Sequence, residues 1–136
     1  MPVADTHPLS RDHKVLLEAM GEAGELARSL FDRGVETWEK EDKTPVTEAD
    51  LAVDTLLRER LAAACPEYGW LSEETQENPA RRSFKRVWIV DPIDGTKGFV
   101  RGTDQWCISA ALVEDGLPLL GIIVNPVRGE LFQAVR

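Results

Sequence analysis

Four β-prone residues, Val87, Trp88, Ile89 and Val90, run without interruption into Asp91, and a second carboxylate, Asp94, follows three positions later at the head of a turn containing Gly95. A continuous apolar run of this kind suits a strand covered on both faces, so the two acids sit where a buried strand emerges. Two such carboxylates repel each other and each resists desolvation, and a stable arrangement needs a cation or a proton between them. A divalent metal meets that need. Oxygen donors favour magnesium or calcium over softer metals, and no His/Cys cluster lies nearby to suggest zinc. Gly95 and Thr96 follow the second acid directly, and their backbone amides can open a short helix whose mouth accepts a phosphate oxygen. Acids that hold a divalent ion beside an anion site are what phosphoryl hydrolysis requires, since the ion neutralises the phosphate and acidifies the attacking water.

Around this segment the chain reads as mixed α and β. Residues 1–9 are expected as a loose tail. Leu16, Met20, Ala23, Ala27 and Leu30 then recur at helical spacing, predicting an amphipathic helix that ends near Gly34. The mixed-charge stretch from Val35 to Val46 reads as a short strand or a loop. Thr47 is the expected N-cap of a second helix over residues 48–64, which stops before Pro66. YGWL reads as a strand end capped by Ser72, Glu73 and Glu74, and QENPARRSFK as a polar surface loop. Three further strand-like runs, QWCISAALVED, LPLLGIIVNPV and GELFQAVR, are joined by turns at Asp115-Gly116 and Asn125 to Gly129, predicting an antiparallel meander. The fold class expected is α+β, with two helices packed on a largely antiparallel sheet.

Composition narrows the functions available. At 136 residues the chain is one domain or part of one, and 43% hydrophobic residues provide material for a core. Twenty-four acidic against sixteen basic residues give a formal charge of −8, which opposes binding to nucleic acid or to anionic membranes. No apolar run approaches the roughly eighteen residues of a membrane-spanning helix, and the N-terminus lacks the apolar core of a signal peptide; a cytoplasmic location is expected. Cys65 and Cys107 form no zinc or disulfide pattern and are expected as buried thiols. His7 and His13 are expected to be solvated, and Trp70, Trp88 and Trp106 to lie in the core.

The segments KTPVTEADLAVD, GWLSEE, WIVDPIDGTKGF and WCISAALVEDGLPLLGIIVNPVRGELFQA occur in the order and approximate spacing found in the inositol monophosphatase family. The chain resembles the N-terminal half of those magnesium-dependent, typically lithium-sensitive phosphatases, whose complete form is a layered αβαβα sandwich. The resemblance implies that Glu73, Asp91, Asp94 and the backbone carbonyl of Ile93 bind Mg2+. It also implies that Asp50 and Thr96 orient and deprotonate the attacking water, and that Gly95 and Thr96 hold phosphate by their amides. Glu74, Lys40 and Lys43 are further candidates, the lysines matching a basic position near the family's site.

Family members are about twice this long, and their second half carries a WDxAAG-like segment with another metal-binding aspartate, which these residues do not contain. A fragment, a truncated product or half of an assembly is therefore expected, as residues 1–136 of a single domain or of its N-terminal half. The substrate expected is a small phosphorylated metabolite. The lysine of GTKGF resembles the bisphosphate-nucleotidase and histidinol-phosphatase branches, which favours 3′-phosphoadenosine 5′-phosphate, with an inositol phosphate or histidinol phosphate as alternatives. A homodimer is an inherited expectation. One rival is a haloacid-dehalogenase-like phosphatase, which places its aspartates two apart near the chain start and passes through an aspartyl-phosphate. Another is an inactive metal-binding fragment.

Overall fold

Leu16, Met20, Ala23, Ala27 and Leu30 are buried along one face of helix α1 (Ser10–Arg33), so the helical stripe in the sequence is the stripe that packs. The computed structural model describes residues 7–40, 45–74 and 83–136. After α1 the backbone forms a small antiparallel hairpin of β1 (Thr37–Glu39) and β2 (Pro45–Thr47), which delivers the chain to α2 (Glu48–Ala64). Strands β3 (Gly69–Ser72) and β4 (Arg86–Asp94), helix α3 (Thr96–Val100), and strands β5 (Cys107–Glu114), β6 (Leu117–Asn125) and β7 (Glu130–Val135) complete the described elements. The expected helix over 48–64 and the antiparallel meander are both present.

The main sheet has the order β3-β4-β5-β6-β7. β3 runs parallel to β4, and every other pairing is antiparallel. The helices cover one face of it, where Trp88, Val90, Ile108, Ala110, Leu112, Leu120 and Ile122 are buried with the apolar stripes of α1 and α2. Side chains alternate across a strand, and Ile89, Ile123 and Phe132 on the opposite face are 39%, 42% and 57% exposed. The expectation that β4 is covered on both faces is therefore corrected: its continuous apolar run has one face against the helices and one open.

Two local devices aim the site. The Asp115-Gly116 turn joins β5 to β6 with both residues at positive φ, which matches the right-handed twist of a tight hairpin. On β4, the register against β5 shifts between Asp91 and Asp94, so the strand leaves regular pairing where its two carboxylates lie.

Several other expectations change. Residues 1–6 lie outside the described residues, but residues 7–9 are not loose: Leu9 is buried and the Ser10 amide donates to the His7 carbonyl. His13 is buried rather than solvated, with Nε2 2.7 Å from Gln133 Oε1 on β7, because α1 packs on the helix-covered face of the sheet and Gln133 meets it there. Cys65 is buried, whereas Cys107, at the start of β5, is partly exposed. Trp88 and Trp106 are core residues; Trp70 is only partly buried, since β3 is an edge strand. The polar loop expected after Glu74 falls mostly on residues 75–82, outside the described residues.

Candidate metal and phosphate site

Asp50 has the most completely specified environment of the expected site residues. Thr47 caps α2 and accepts the Ala49 amide at 3.0 Å, while Asp50 reaches back to form a capping box. Asp50 Oδ2 accepts from the Thr47 amide at 2.9 Å and from its hydroxyl at 2.7 Å. Its other oxygen, Oδ1, accepts from Thr96 Oγ1 at 3.0 Å across the gap between α2 and the segment after β4. The Thr96 hydroxyl also lies 3.2 Å from the Ile93 carbonyl. The expected pair of Asp50 and Thr96 is thus joined directly, with Asp50 fully buried.

Asp91 lies at the centre of a concentration of negative charge. Burial, and then the charges of Glu73, Asp94, Asp50 and Glu74, push its carboxyl up to about 7. Burial also raises Glu74, and this persists although Lys40 Nζ sits 3.2 Å from Glu74 Oε1. Asp94 and Glu73 are exposed. Cys107 Sγ lies 3.9 Å from Asp94 Oδ2, and its thiol is raised by burial and by the charges of Asp94 and Asp91.

Among the described residues no three ligand-type side chains close on one point. The donor chemistry nevertheless fits a hard divalent cation: the acids that disturb Asp91 are all oxygen donors, and an added positive charge is what their mutual repulsion calls for. Glu73, Asp91, Asp94 and the Ile93 carbonyl would hold it.

Backbone packing fixes the turn after these acids. Gly95 has φ 90°, and a Cβ there would stand 2.6 Å from the Gln105 carbonyl oxygen; at Gly98 the same oxygen would be 2.3 Å away. The two glycines of GTKG therefore let α3 lie directly on the backbone before β5. Beside them opens a cleft of about 390 Å³, lined by Asp94, Gly95, Gln105, Cys107, Asn125 and Arg128 among others.

Lys40 is brought to the acids through Glu74, and Lys43 lies outside the described residues. The sequence reading missed Asp54. This carboxylate, 6% exposed, accepts a hydrogen bond from Ser72, the residue before the paired glutamates. The available signal was its position four residues after Asp50, on the same face of α2 as the apolar Val53, Leu57 and Leu61.

The model of the inositol monophosphatase family matches residues 9–136. The chain belongs to this family. It is 39% identical to the 3′(2′),5′-bisphosphate nucleotidase CysQ of Aggregatibacter actinomycetemcomitans over 138 residues, covering 100% of this chain and 50% of that protein. It is also 39% identical to the histidinol-phosphatase of Chlorobaculum parvum over 129 residues, 94% of this chain and 49% of that protein. A solved IMPase/NADP phosphatase complexed with Mg2+ and phosphate superposes with a TM-score of 0.84 at 26% identity, covering 96% of this chain and 49% of that one. The helices packed on a mostly antiparallel sheet are those of the inositol monophosphatase fold. The chain spans about half the length of the curated relatives it matches.

Proposed function

We propose that the chain provides the metal-binding and water-activating half of a magnesium-dependent phosphatase acting on a small phosphate monoester. The observation that carries this reading is the direct bond from Thr96 to Asp50, beside the acids whose charges raise Asp91. Magnesium, when bound, would neutralise phosphate charge and acidify a nearby water. Glu73, Asp91, Asp94 and the Ile93 carbonyl would hold the ion, and the Gly95 and Thr96 amides would receive phosphate. Thr96 Oγ1 takes a proton from water as it gives its own to Asp50 Oδ1. The water oxygen bonds to phosphorus, the ester P–O bond breaks, and the departing oxygen is protonated from solvent.

The substrate favoured is 3′-phosphoadenosine 5′-phosphate, supported by the likeness to CysQ, with an inositol phosphate next. The likeness to a histidinol-phosphatase supports histidinol phosphate as a second reading. An inactive metal-binding half stands as the other alternative. Lithium sensitivity, a cytoplasmic location, a homodimer, and no nucleic-acid or membrane partner belong to the same proposal; no described helix is long and apolar enough to cross a membrane.

Magnesium-dependent phosphate release from the three esters, with Asp91→Asn as control, tests the reading. Turnover abolished by the substitution supports catalysis by this chain and ranks the substrates. No turnover from a folded, magnesium-binding chain favours the inactive half. A chain that binds no magnesium overturns the reading.

A further inference from the structure

Asp54 is a carboxylate where packing alone asks for none. It is 6% exposed and shares its helix face with the fully buried Val53, Leu57 and Leu61. Burying such a group is unfavourable unless its hydrogen bonds are made, and the Ser72 hydroxyl, also buried, donates one to Asp54 Oδ1. The same hydroxyl oxygen accepts from the Glu74 amide at 3.2 Å. Ser72 is therefore tied at both ends, and the turn that carries Glu73 and Glu74 out of β3 is tied to α2.

Asp50 lies one helical turn earlier and accepts from Thr96, just beyond Asp94. Two carboxylates four residues apart on one rigid helix thus grip the two segments that carry the acids around Asp91. We propose that Asp54 is a positioning residue: through Ser72 it sets the placement of the Glu73-Glu74 segment relative to Asp91 and Asp94, and so the affinity of the site for a divalent cation. This rests on the metal-binding reading above. Asp54 touches neither ion nor substrate in this role; it acts through Ser72.

The test is calorimetric titration of magnesium chloride into the 136-residue chain and into Asp54→Ala, Asp54→Asn and Ser72→Ala, with the thermal midpoint of each measured without metal. Outer-shell partners of metal ligands typically contribute 10–100-fold to affinity, so Asp54→Ala and Ser72→Ala are expected to weaken binding at least about tenfold. Asp54→Asn keeps an acceptor oxygen for Ser72 and is expected to retain most of the affinity. A purely structural role would lower the thermal midpoints and leave the magnesium affinities equal, and that result overturns the proposal. Ser72→Ala, a small neutral change, keeps the test decisive if Asp54→Ala fails to fold. Absence of magnesium binding by the unsubstituted chain refutes the metal reading itself, and this inference with it; binding that is lost in Asp91→Asn but unaltered in Asp54→Ala and Ser72→Ala refutes this inference alone.

Discussion

At the first residue of β4, Arg86 Nη1 meets Asp12 at 2.8 Å and its Nε meets Glu114 at 3.0 Å, while the same strand ends on Asp91 and Asp94 with further acids around them. At the first end the buried carboxylate is answered by its own chain: Asp12 also accepts the Tyr68 hydroxyl at 2.9 Å, and that hydroxyl is held above its ordinary range by burial and by this bond. At the other end Asp91 is pushed up to about 7 by burial and by the charges of Glu73, Asp94, Asp50 and Glu74. Lys40 meets Glu74 at 3.2 Å. One strand therefore carries, among the described residues, a carboxylate paired with a cation at its first end and mutually repelling carboxylates at its last, the end we propose for the metal. The contrast teaches that a carboxylate whose titration is shifted by neighbouring carboxylates points more directly to function than one paired with a cation.

The comparison can be broken most forcefully at its paired end. Arg86→Met leaves Asp12 buried without its cation, and removing one partner of a buried pair typically costs about 3–5 kcal/mol. Urea denaturation is expected to show a loss near the lower figure, because Arg86 keeps some solvent contact; a loss within error of zero would mean that the two ends do not differ as described.

A smaller effect is expected where Asp50 is satisfied from across the gap. Thr96→Val removes the donor to Asp50 Oδ1 and leaves a buried acceptor unpaired, a change of about 1–3 kcal/mol. Thr96→Ser, which restores a hydroxyl, should recover most of that stability in the same denaturation assay.

At the end that carries Asp91 the sign reverses. Asp91→Asn removes a charge that the metal-free fold resists, and it should raise stability at pH 8 by on the order of 1 kcal/mol, allowing for the solvent that reaches the site. A carboxyl raised in the folded state binds more protons there than in the unfolded chain. Stability of the metal-free protein should therefore fall as pH rises from the ordinary carboxylate range through about 7. Thermal midpoints between pH 5 and 8 should decline for the unsubstituted chain and stay flatter for Asp91→Asn. Saturating magnesium should reverse the ranking of the two at pH 8.

Much of this was legible in the residues. Helical spacing located α1, the Thr47 cap and Pro66 bounded α2, and turn chemistry at Asp115-Gly116 marked a hairpin. Asp50 and Thr96 were paired through family resemblance, and the structure places them in contact. Other features depended on which elements meet in space. The run Val87 to Val90 cannot say whether one or two faces of its strand are covered. His13 looked solvated because Gln133, its partner, lies on the far strand β7. Asp54 drew no reading from the sequence because its partner Ser72 lies on another element, at the end of β3. Lys40 could be told from other lysines in the loop only through its contact with Glu74.

The most direct test of the account follows the Asp91 side-chain carboxyl carbon by NMR across pH, with and without magnesium. The account predicts a midpoint near 7 in the metal-free chain and a fall well below that when magnesium is present, because the ion would replace the proton among the mutually repelling acids. A midpoint near the ordinary value of about 4, unmoved by magnesium, would contradict it.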